Sequence, residues 1–202
     1  MLKTKQVIPI REQIANQIRT DVIAGEMEPG QRLREESLAE RFGVSRGPIR
    51  DVLLQLTKEG LLVSKRNCGV TVNEMLSPAT QNLMITLRKN IEIFAFQMLE
   101  DKLDDHDFEQ LESLLNAMQK ALATEHFTEA AEIDLEFHRY LLDKAGGDEL
   151  VNLWTPMVLR MRMNYQRVCS PEQSMQEHLD ILQALKDRDI PAAIKHLETH
   201  IK

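Results

Sequence analysis

The sequence predicts a mainly α-helical protein with an N-terminal winged helix-turn-helix and a C-terminal six-helix antiparallel bundle. Three observations support this fold class. Apolar residues recur at helical spacing along most of the chain. Only Gly43-Val44-Ser45 separates two predicted helices, which is the tight turn of a helix-turn-helix. Strand-like patterning is confined to "LLVSKRNCGVTVN" at residues 61–73, which predicts a two-stranded hairpin, the wing.

The composition indicates a packed protein of the reducing cytoplasm. Of 202 residues, 43% are apolar and 28% charged, so a folded core is expected. No apolar run approaches the roughly 20 residues that span a bilayer, and the charged N-terminus lacks a signal-peptide pattern, so we expect no membrane association. The two cysteines, Cys68 and Cys169, do not form a disulfide framework.

The charge is distributed unevenly along the chain. The net charge of −7 would by itself argue against binding nucleic acid. However, residues 1–74 carry 12 Lys and Arg against 10 Asp and Glu, whereas residues 75–202 carry 13 against 22. We therefore predict two domains with different partners, at residues 1–74 and 79–202, joined by a linker over residues 74–79.

Three helices are predicted in the first domain. The i,i+4 repeat of Ile10, Ile14, Ile18 and Val22 indicates the first, and "REESLAERFG" forms the second. The third begins after Ser45, a favourable N-cap residue, and continues to Gly60.

The N-terminal turn of the third helix carries candidate DNA contacts. In a winged helix-turn-helix this helix enters the major groove. Arg46 and Arg50 can reach guanine edges or phosphates, and Gly47 lets the backbone approach closely. The backbone N–H groups beside Ser45 can bind phosphate. The alternative is a small protein-binding domain with two surface arginines.

The run "EPGQRLREESLAERFGVSRGPIRDVLLQLTKEGLLVSKRNCGVTV" resembles the DNA-binding domain of the GntR superfamily of bacterial repressors. The similarity extends from about residue 8 to residue 73. It implies that operator DNA is contacted by Ser45, Arg46, Gly47 and Arg50, and by Gly69 in the wing, where Asn67 is a further candidate. Glu36 stands where some members have a DNA-contacting arginine, and Arg34 is the nearby candidate substitute.

The second domain offers four inward polar groups on three of its six predicted helices. Asp134 and His138 are one turn apart beside an apolar arc, His178 falls inside another arc, and His200 flanks a third. A lone inward histidine is usually a hydrogen-bonded core residue. One Asp and three His, however, can bind a first-row transition metal with open positions left over. Zinc, nickel and manganese all suit this set.

The other histidines are weaker candidates. His196 competes with His200, because the two are spaced i,i+4 and could chelate together, but His196 lies further from the apolar arc. His106 and His126 fall near helix starts among polar residues, where a solvated surface position is expected.

The second domain resembles the all-helical effector domain, called FCD, of the FadR-type branch of GntR regulators. The similar stretches are "LRKNIEIFAFQML", "DLEFHRYLLDKAGG", "EHLDILQALKDRD" and "AAIKHLETHI". The resemblance implies that Asp134, His138, His178 and His200 bind the metal. It also implies that Arg88 pairs with a carboxylate of the effector. The structural alternative for Arg88 is a salt bridge to Glu92 at i+4.

These features favour a ligand-responsive transcription regulator, with operator DNA, a small carboxylate effector and a second copy of itself as partners. In the family, repression released by ligand is the common mode. One alternative is a metalloenzyme fused to a DNA-binding module. The chain has no H-E-x-x-H motif, however, and no His preceded by Glu at the third position. Another alternative is a dimerisation module with core histidines.

Overall fold

The computed structural model describes residues 8–66, 69–163 and 170–202. The chain divides into two compact units between Leu76 and Ser77, and the segment Leu159–Asn164 groups with the first unit. Helices dominate the described residues, as the sequence predicts, and strands occur only near the N-terminal helices. No helix of these residues has the length and apolarity to cross a membrane.

The first unit contains three helices and a small sheet. The helices are α1 (Ile10–Ile23), α2 (Glu35–Phe42) and α3 (Arg46–Lys58). The strands are β1 (Arg32–Leu33), β2 (Leu62–Lys65) and β3 (Gly69–Val72). Helix α1 packs against α3, and their apolar faces are buried at Ile14, Ile18, Ile49 and Leu56. This packing leaves the polar face of α3 accessible to a partner.

The turn between α2 and α3 lies where the sequence predicts it. Gly43 caps α2 with φ 63°, a left-handed conformation that glycine adopts without strain. The N–H of Val44 then donates to the carbonyl of Ala39. Ser45 occupies the predicted N-cap position of α3, but its side chain makes no capping hydrogen bond. The hydroxyl of Ser45 is therefore not committed to the helix.

The wing is a three-stranded antiparallel sheet in the order β1-β3-β2. The predicted hairpin is present, with Leu62 opposite Val72 and Lys65 opposite Gly69. The third strand, β1, was not predicted. It has two residues, and a pair of residues is too short to display the alternation that identifies a strand.

The second unit is built from helices, which in the described residues are α4 (Pro78–Gln97), α5 (Asp105–Ala123), α6 (Phe127–Arg162), α7 (Pro171–Lys186) and α8 (Ile190–His200). The end of α6, from Leu159 on, groups with the first unit. Helix α6 consists of two helical segments that meet at Gly147, where φ is 59° and ψ is −150°. Counting these segments separately gives the six helical pieces that the sequence predicts for this region.

The core of the second unit holds large side chains from several helices, namely Phe96, Leu111, Phe137, Leu141 and Trp154. Helix α7 packs against α8 and α5, and α8 also packs against α4. Side chains of α4, α7 and α8 meet the first segment of α6 in the polar cluster described below.

Candidate metal centre and DNA-binding surface

Four of the predicted site residues converge inside the second unit. Asp134 and His138 project from the first segment of α6, His178 from α7 and His200 from the last position of α8. Each offers one ligand atom, and these atoms all lie within 4.8 Å of one another. The i,i+4 spacing aligns Asp134 with His138, and the packing of α7 on α8 supplies the other two.

The ligand atoms are closely spaced. Nε2 of His138 lies 3.1 Å from Nε2 of His200. Oδ1 of Asp134 lies 3.1 Å from Nε2 of His178 and 3.7 Å from Nε2 of His200. The side chains of His138 and His178 are fully buried, whereas Asp134 and His200 retain some exposure. The cluster is thus enclosed on one side and more accessible on the other.

The opposite nitrogen of each ring faces an acceptor outside the cluster. Nδ1 of His178 lies 2.7 Å from the carbonyl of Ser174. Nδ1 of His200 lies 3.1 Å from Oε2 of Glu177, and Nδ1 of His138 lies 2.7 Å from Oε2 of Glu92. Acceptors at Nδ1 favour the tautomer that carries its proton there, which leaves the Nε2 lone pair for a metal.

Two further observations fit a bound cation. With neutral rings in this tautomer, the Nε2 lone pairs of His138 and His200 would face each other at 3.1 Å, which is unfavourable unless a proton or a cation lies between them. Within the described part of the chain, Nε2 of His178 is buried and makes no hydrogen bond, although Oδ1 of Asp134 lies 3.1 Å away. The residues present therefore fit a transition metal with imidazole and carboxylate ligands.

The electrostatic environment of His200 favours its neutral form, which binds metal. Burial lowers the pKa of His200 well below its usual value, and the neighbouring His138 and His178 lower it further. The carboxylate of Asp134 opposes this shift only in part. A neutral imidazole is the form that binds metal, so deprotonation near neutral pH does not limit binding by His200.

The remaining histidines lie elsewhere. His196 is half-buried and is not a member of the four-residue group. The side chain of His106 is exposed, 4.0 Å from Oε2 of Glu109. His126 is exposed and shares a hydrogen bond with Thr124.

Arg88 makes the interaction that the sequence offered as the alternative to effector binding. Its Nε donates to Oε1 of Glu92 at 2.7 Å. Glu92 is fully buried and accepts a second hydrogen bond at Oε1, of 2.6 Å, from Nε1 of Trp154. Although burial raises the pKa of Glu92, the charges of Arg88 and His138 outweigh it and hold the pKa below the usual range.

Sequence reasoning treated Glu92 only as a partner for Arg88 and missed its contact with His138. The i,i+4 spacing from Arg88 was visible in the sequence, but the approach of α6 depends on tertiary packing. Glu177, which faces His200 from another helix, was missed for the same reason. Ser174 lies four residues before His178 on the same helix, so its carbonyl contact has a local spacing that the sequence analysis did not use.

The predicted DNA-contacting residues of the helix-turn-helix lie at the exposed start of α3. Ser45, Arg46, Gly47 and Arg50 are all exposed. A Cβ added at Gly47 would meet nothing within 4 Å, so this turn is open to a partner. The side chains of Arg46 and Arg50 are 60% and 70% exposed. Both guanidinium groups can therefore bind an anion of a partner molecule.

Acidic residues of α2 hold both arginines. Arg46 pairs with Glu36. Arg50 binds Glu35 through two hydrogen bonds of 2.9 and 3.1 Å. Burial raises the pKa of Glu35 slightly, but the hydrogen bond from Arg50, the larger effect, lowers it overall. Exposed pairs of this kind contribute little to stability, so DNA phosphates can replace them at small cost.

The other candidates occupy the flanks of this surface. Arg34 is exposed and stands at the N-cap of α2. Gly69 begins β3 with φ 76°, and a Cβ placed there would approach the Arg32 guanidinium at 3.8 Å. A larger residue at Gly69 would be strained by this backbone conformation. Asn67 lies outside the described residues.

A winged helix-turn-helix followed by an all-helical unit defines the class of two-part DNA-binding regulators. The family model described as "Bacterial regulatory proteins, gntR family" matches residues 10–72, and the FCD domain model matches residues 83–202. The chain therefore belongs to the GntR family of transcriptional regulators and carries an FCD domain.

Curated relatives extend over nearly the whole chain. The HTH-type transcriptional regulator YdhC of Bacillus subtilis is 29% identical over 98% of this chain and 90% of its own length. The HTH-type transcriptional repressor RspR of Escherichia coli is 27% identical over 96% of this chain and 86% of its own length. These relatives are transcription regulators, and the chain is classed with them rather than with metalloenzymes.

Solved structures share the fold. Escherichia coli McbR/YncC superimposes with a TM-score of 0.80 at 21% identity, covering 96% of this chain and 94% of its own. A GntR transcriptional regulator from Rhodococcus sp. RHA1 gives a TM-score of 0.76 at 20% identity, covering 95% and 93% of the two chains. At this identity the similarity establishes the fold.

Proposed function

We propose that this protein is a ligand-responsive repressor that binds operator DNA as a homodimer in the cytoplasm. In this proposal, its helical unit holds one divalent transition metal and a small carboxylate effector. The observation that carries the proposal is the meeting of four ligand atoms, from Asp134, His138, His178 and His200, within 4.8 Å in the interior. Repression is suggested by RspR, which is named as a repressor.

The metal would be held by one carboxylate oxygen and three imidazole nitrogens. Such a set accommodates zinc, nickel or manganese and leaves positions open for an external oxygen ligand. When bound, the ion supplies a positive charge and coordination sites for an anion. The residues of the chain contribute the orientation: Ser174, Glu92 and Glu177 each face the Nδ1 atom of one histidine.

The effector is proposed to be a small organic acid that engages both the metal and Arg88. Arg88 and His138 contact the same carboxylate, that of Glu92, so the guanidinium lies one residue away from the metal ligands. An incoming carboxylate would compete with Glu92 for the guanidinium and would form the same kind of charge-assisted hydrogen bond with it. The charges of a divalent metal and of Arg88 together still exceed those of the Asp134 and Glu92 carboxylates, so the site attracts an anion.

The DNA-binding surface is proposed to be the start of α3 together with the wing. Arg46 and Arg50 would leave Glu36 and Glu35 for bases or phosphates, and Gly47 would allow close approach. Arg34, Ser45, Asn67 and Gly69 complete the proposed surface. Two such surfaces in a dimer would bind half-sites related by two-fold symmetry.

Support for dimerisation comes from an apolar stripe on α4. Leu83, Leu87 and Phe94 are exposed, and at 100° per residue they fall on one side of the helix. Exposed apolar stripes of this kind mark interaction surfaces. A second copy of the chain is the partner that a symmetric operator requires.

A thermal-shift screen of organic and sugar acids, run with and without added divalent metal, tests the proposal. A ligand at 100 times its dissociation constant stabilises the folded state by about 2.7 kcal/mol. We expect stabilisation by an acid that depends on metal. Stabilisation by neither metal nor acid would contradict the sensor proposal and favour a dimerisation module with core histidines.

A further inference from the structure

We propose that Glu92 is a positioning residue of the metal centre, which fixes the ring of His138 in its metal-binding tautomer and links it to Arg88 and Trp154. This inference rests on the proposed metal site. It concerns a residue outside the four ligands, and it makes Trp154 a built-in reporter of metal binding.

The carboxylate of Glu92 is fully buried and each of its oxygens has a distinct role. Oε1 accepts hydrogen bonds from Nε of Arg88 at 2.7 Å and from Nε1 of Trp154 at 2.6 Å. Oε2 lies 2.7 Å from Nδ1 of His138, an ion-pair distance, and neither atom makes a hydrogen bond within the described residues. The carboxylate is thus anchored on one side and presents its second oxygen to the imidazole.

This arrangement has a defined chemical consequence for His138. An anionic oxygen facing Nδ1 favours the proton on that nitrogen and leaves the Nε2 lone pair directed at the cluster. The negative charge also strengthens electron donation from Nε2 to a metal. In metal sites, removal of such a partner typically lowers metal affinity about 10–100-fold.

The partners of the other two histidines are weaker by comparison. His178 faces a neutral carbonyl, that of Ser174. His200 faces Glu177, whose charge is shared with Lys202 and whose side chain is 11% exposed. Glu92 is also shared, with Arg88, but it is fully buried, so water does not screen its interaction with His138. Loss of the charge at Glu92 should therefore weaken metal binding more than loss of the charge at Glu177.

Trp154 gives this network an optical signal. It is the only tryptophan in the 202 residues. Its indole N–H is bonded to the same carboxylate that faces His138. A cation at Nε2 of His138 would strengthen the attraction between the ring and Oε2 of Glu92. The hydrogen bond from the Trp154 indole to Oε1 of Glu92 would weaken as a result. Metal binding should then alter the emission of Trp154 through Glu92.

The experiment titrates metal-free wild type, Glu92→Gln and Glu177→Gln with zinc against a competing chelator, while recording tryptophan emission. Circular dichroism and thermal unfolding establish that each variant is folded. We expect about 10–100-fold weaker zinc binding in Glu92→Gln, a smaller loss in Glu177→Gln, and loss of the zinc-dependent emission change only in Glu92→Gln. A folded Glu92→Gln with wild-type affinity and emission change would overturn the proposal.

A second measurement uses the unmodified side chain and does not depend on the folding of Glu92→Gln. Nitrogen-15 NMR of the histidine rings, assigned with His138→Gln, reports the tautomer of His138 in the metal-free protein. A proton on Nδ1 supports the role of Glu92, and a proton on Nε2 overturns it. Failure of wild type to bind zinc would instead contradict the proposed metal centre, so the two proposals fail by different results.

Discussion

Nε2 of His138 and Nε2 of His200 lie 3.1 Å apart, although the two residues are separated by 62 positions and belong to different helices. This is a hydrogen-bonding distance if one ring carries its proton at Nε2, whereas protons at Nδ1 of both rings leave two lone pairs facing each other. A cation that both nitrogens bind removes the repulsion between their lone pairs. We therefore expect the folded state to gain stability when a metal is bound.

The first prediction concerns metal removal. Incubation with a strong chelator should lower the thermal unfolding temperature, and saturating zinc, nickel or manganese should restore it. At 100 times the dissociation constant the gain in the free energy of unfolding is about 2.7 kcal/mol. Differential scanning calorimetry measures it. The variant His138→Gln should show no such gain, and equal stabilisation of both proteins would place the metal elsewhere.

The second prediction concerns the recognition arginines. Arg50→Ala should weaken operator binding by about 1–3 kcal/mol if the contact is to a base. Stability should barely change, because Arg50 is 70% exposed and its salt bridge to Glu35 is a surface pair. Lys58→Ala, at the opposite end of α3, serves as the control. Unchanged affinity of Arg50→Ala in a fluorescence-anisotropy titration would contradict the assigned surface.

A third prediction follows from the pair formed by Arg46 and Glu36. DNA has to displace Glu36 from Arg46, and the carboxylate also repels phosphate. Glu36→Gln should therefore bind operator more tightly, by about 0.2–1 kcal/mol, the range of an exposed pair. Glu40→Gln, an exposed residue on the same helix, is the control. Equal gains in operator affinity for Glu36→Gln and Glu40→Gln would contradict this prediction, because they would show that only the net charge matters.

The fourth prediction separates effector sensing from DNA binding. Arg88→Ala should lose the response of operator affinity to the effector acid, which in wild type is expected to be about 5–150-fold, the usual coupling range. Its effector-free DNA affinity should remain near that of wild type. Arg139→Ala removes a surface arginine from α6 and provides the control. A full response in Arg88→Ala would transfer the anchor role to another cation.

The fifth prediction concerns acid stability and Asp107. Burial raises the pKa of this carboxyl group, but hydrogen bonds from Lys144 and Tyr140 outweigh burial and lower it to about 2. Because the folded-state pKa lies below the unfolded one, the stabilisation is complete above the unfolded pKa and is lost as pH falls towards 2. Asp107→Asn should be less stable at neutral pH by about 2 kcal/mol, and the difference should shrink below pH 4. A constant difference in urea unfolding at all pH values would contradict this.

The sequence predicts those features that depend on residues close together in the chain. The helix-turn-helix followed from Gly43 and from apolar spacing, and both features act within a few residues. The inward placement of Asp134, His138 and His178 followed from their positions on apolar arcs. Strand β1 was missed because its pairing with β3 depends on a tertiary contact. The contact between Glu92 and His138 was missed because it joins helices distant in the chain.

The metal content of the purified protein tests the proposed metal centre most directly. Elemental analysis after incubation with zinc, nickel and manganese, followed by removal of free ions, should find one divalent ion per chain in wild type. His178→Ala should contain none at neutral pH. His196→Ala, which alters a histidine outside the cluster on α8, should retain the ion. Absence of stoichiometric metal from wild type, or its full retention by His178→Ala, would contradict the central claim.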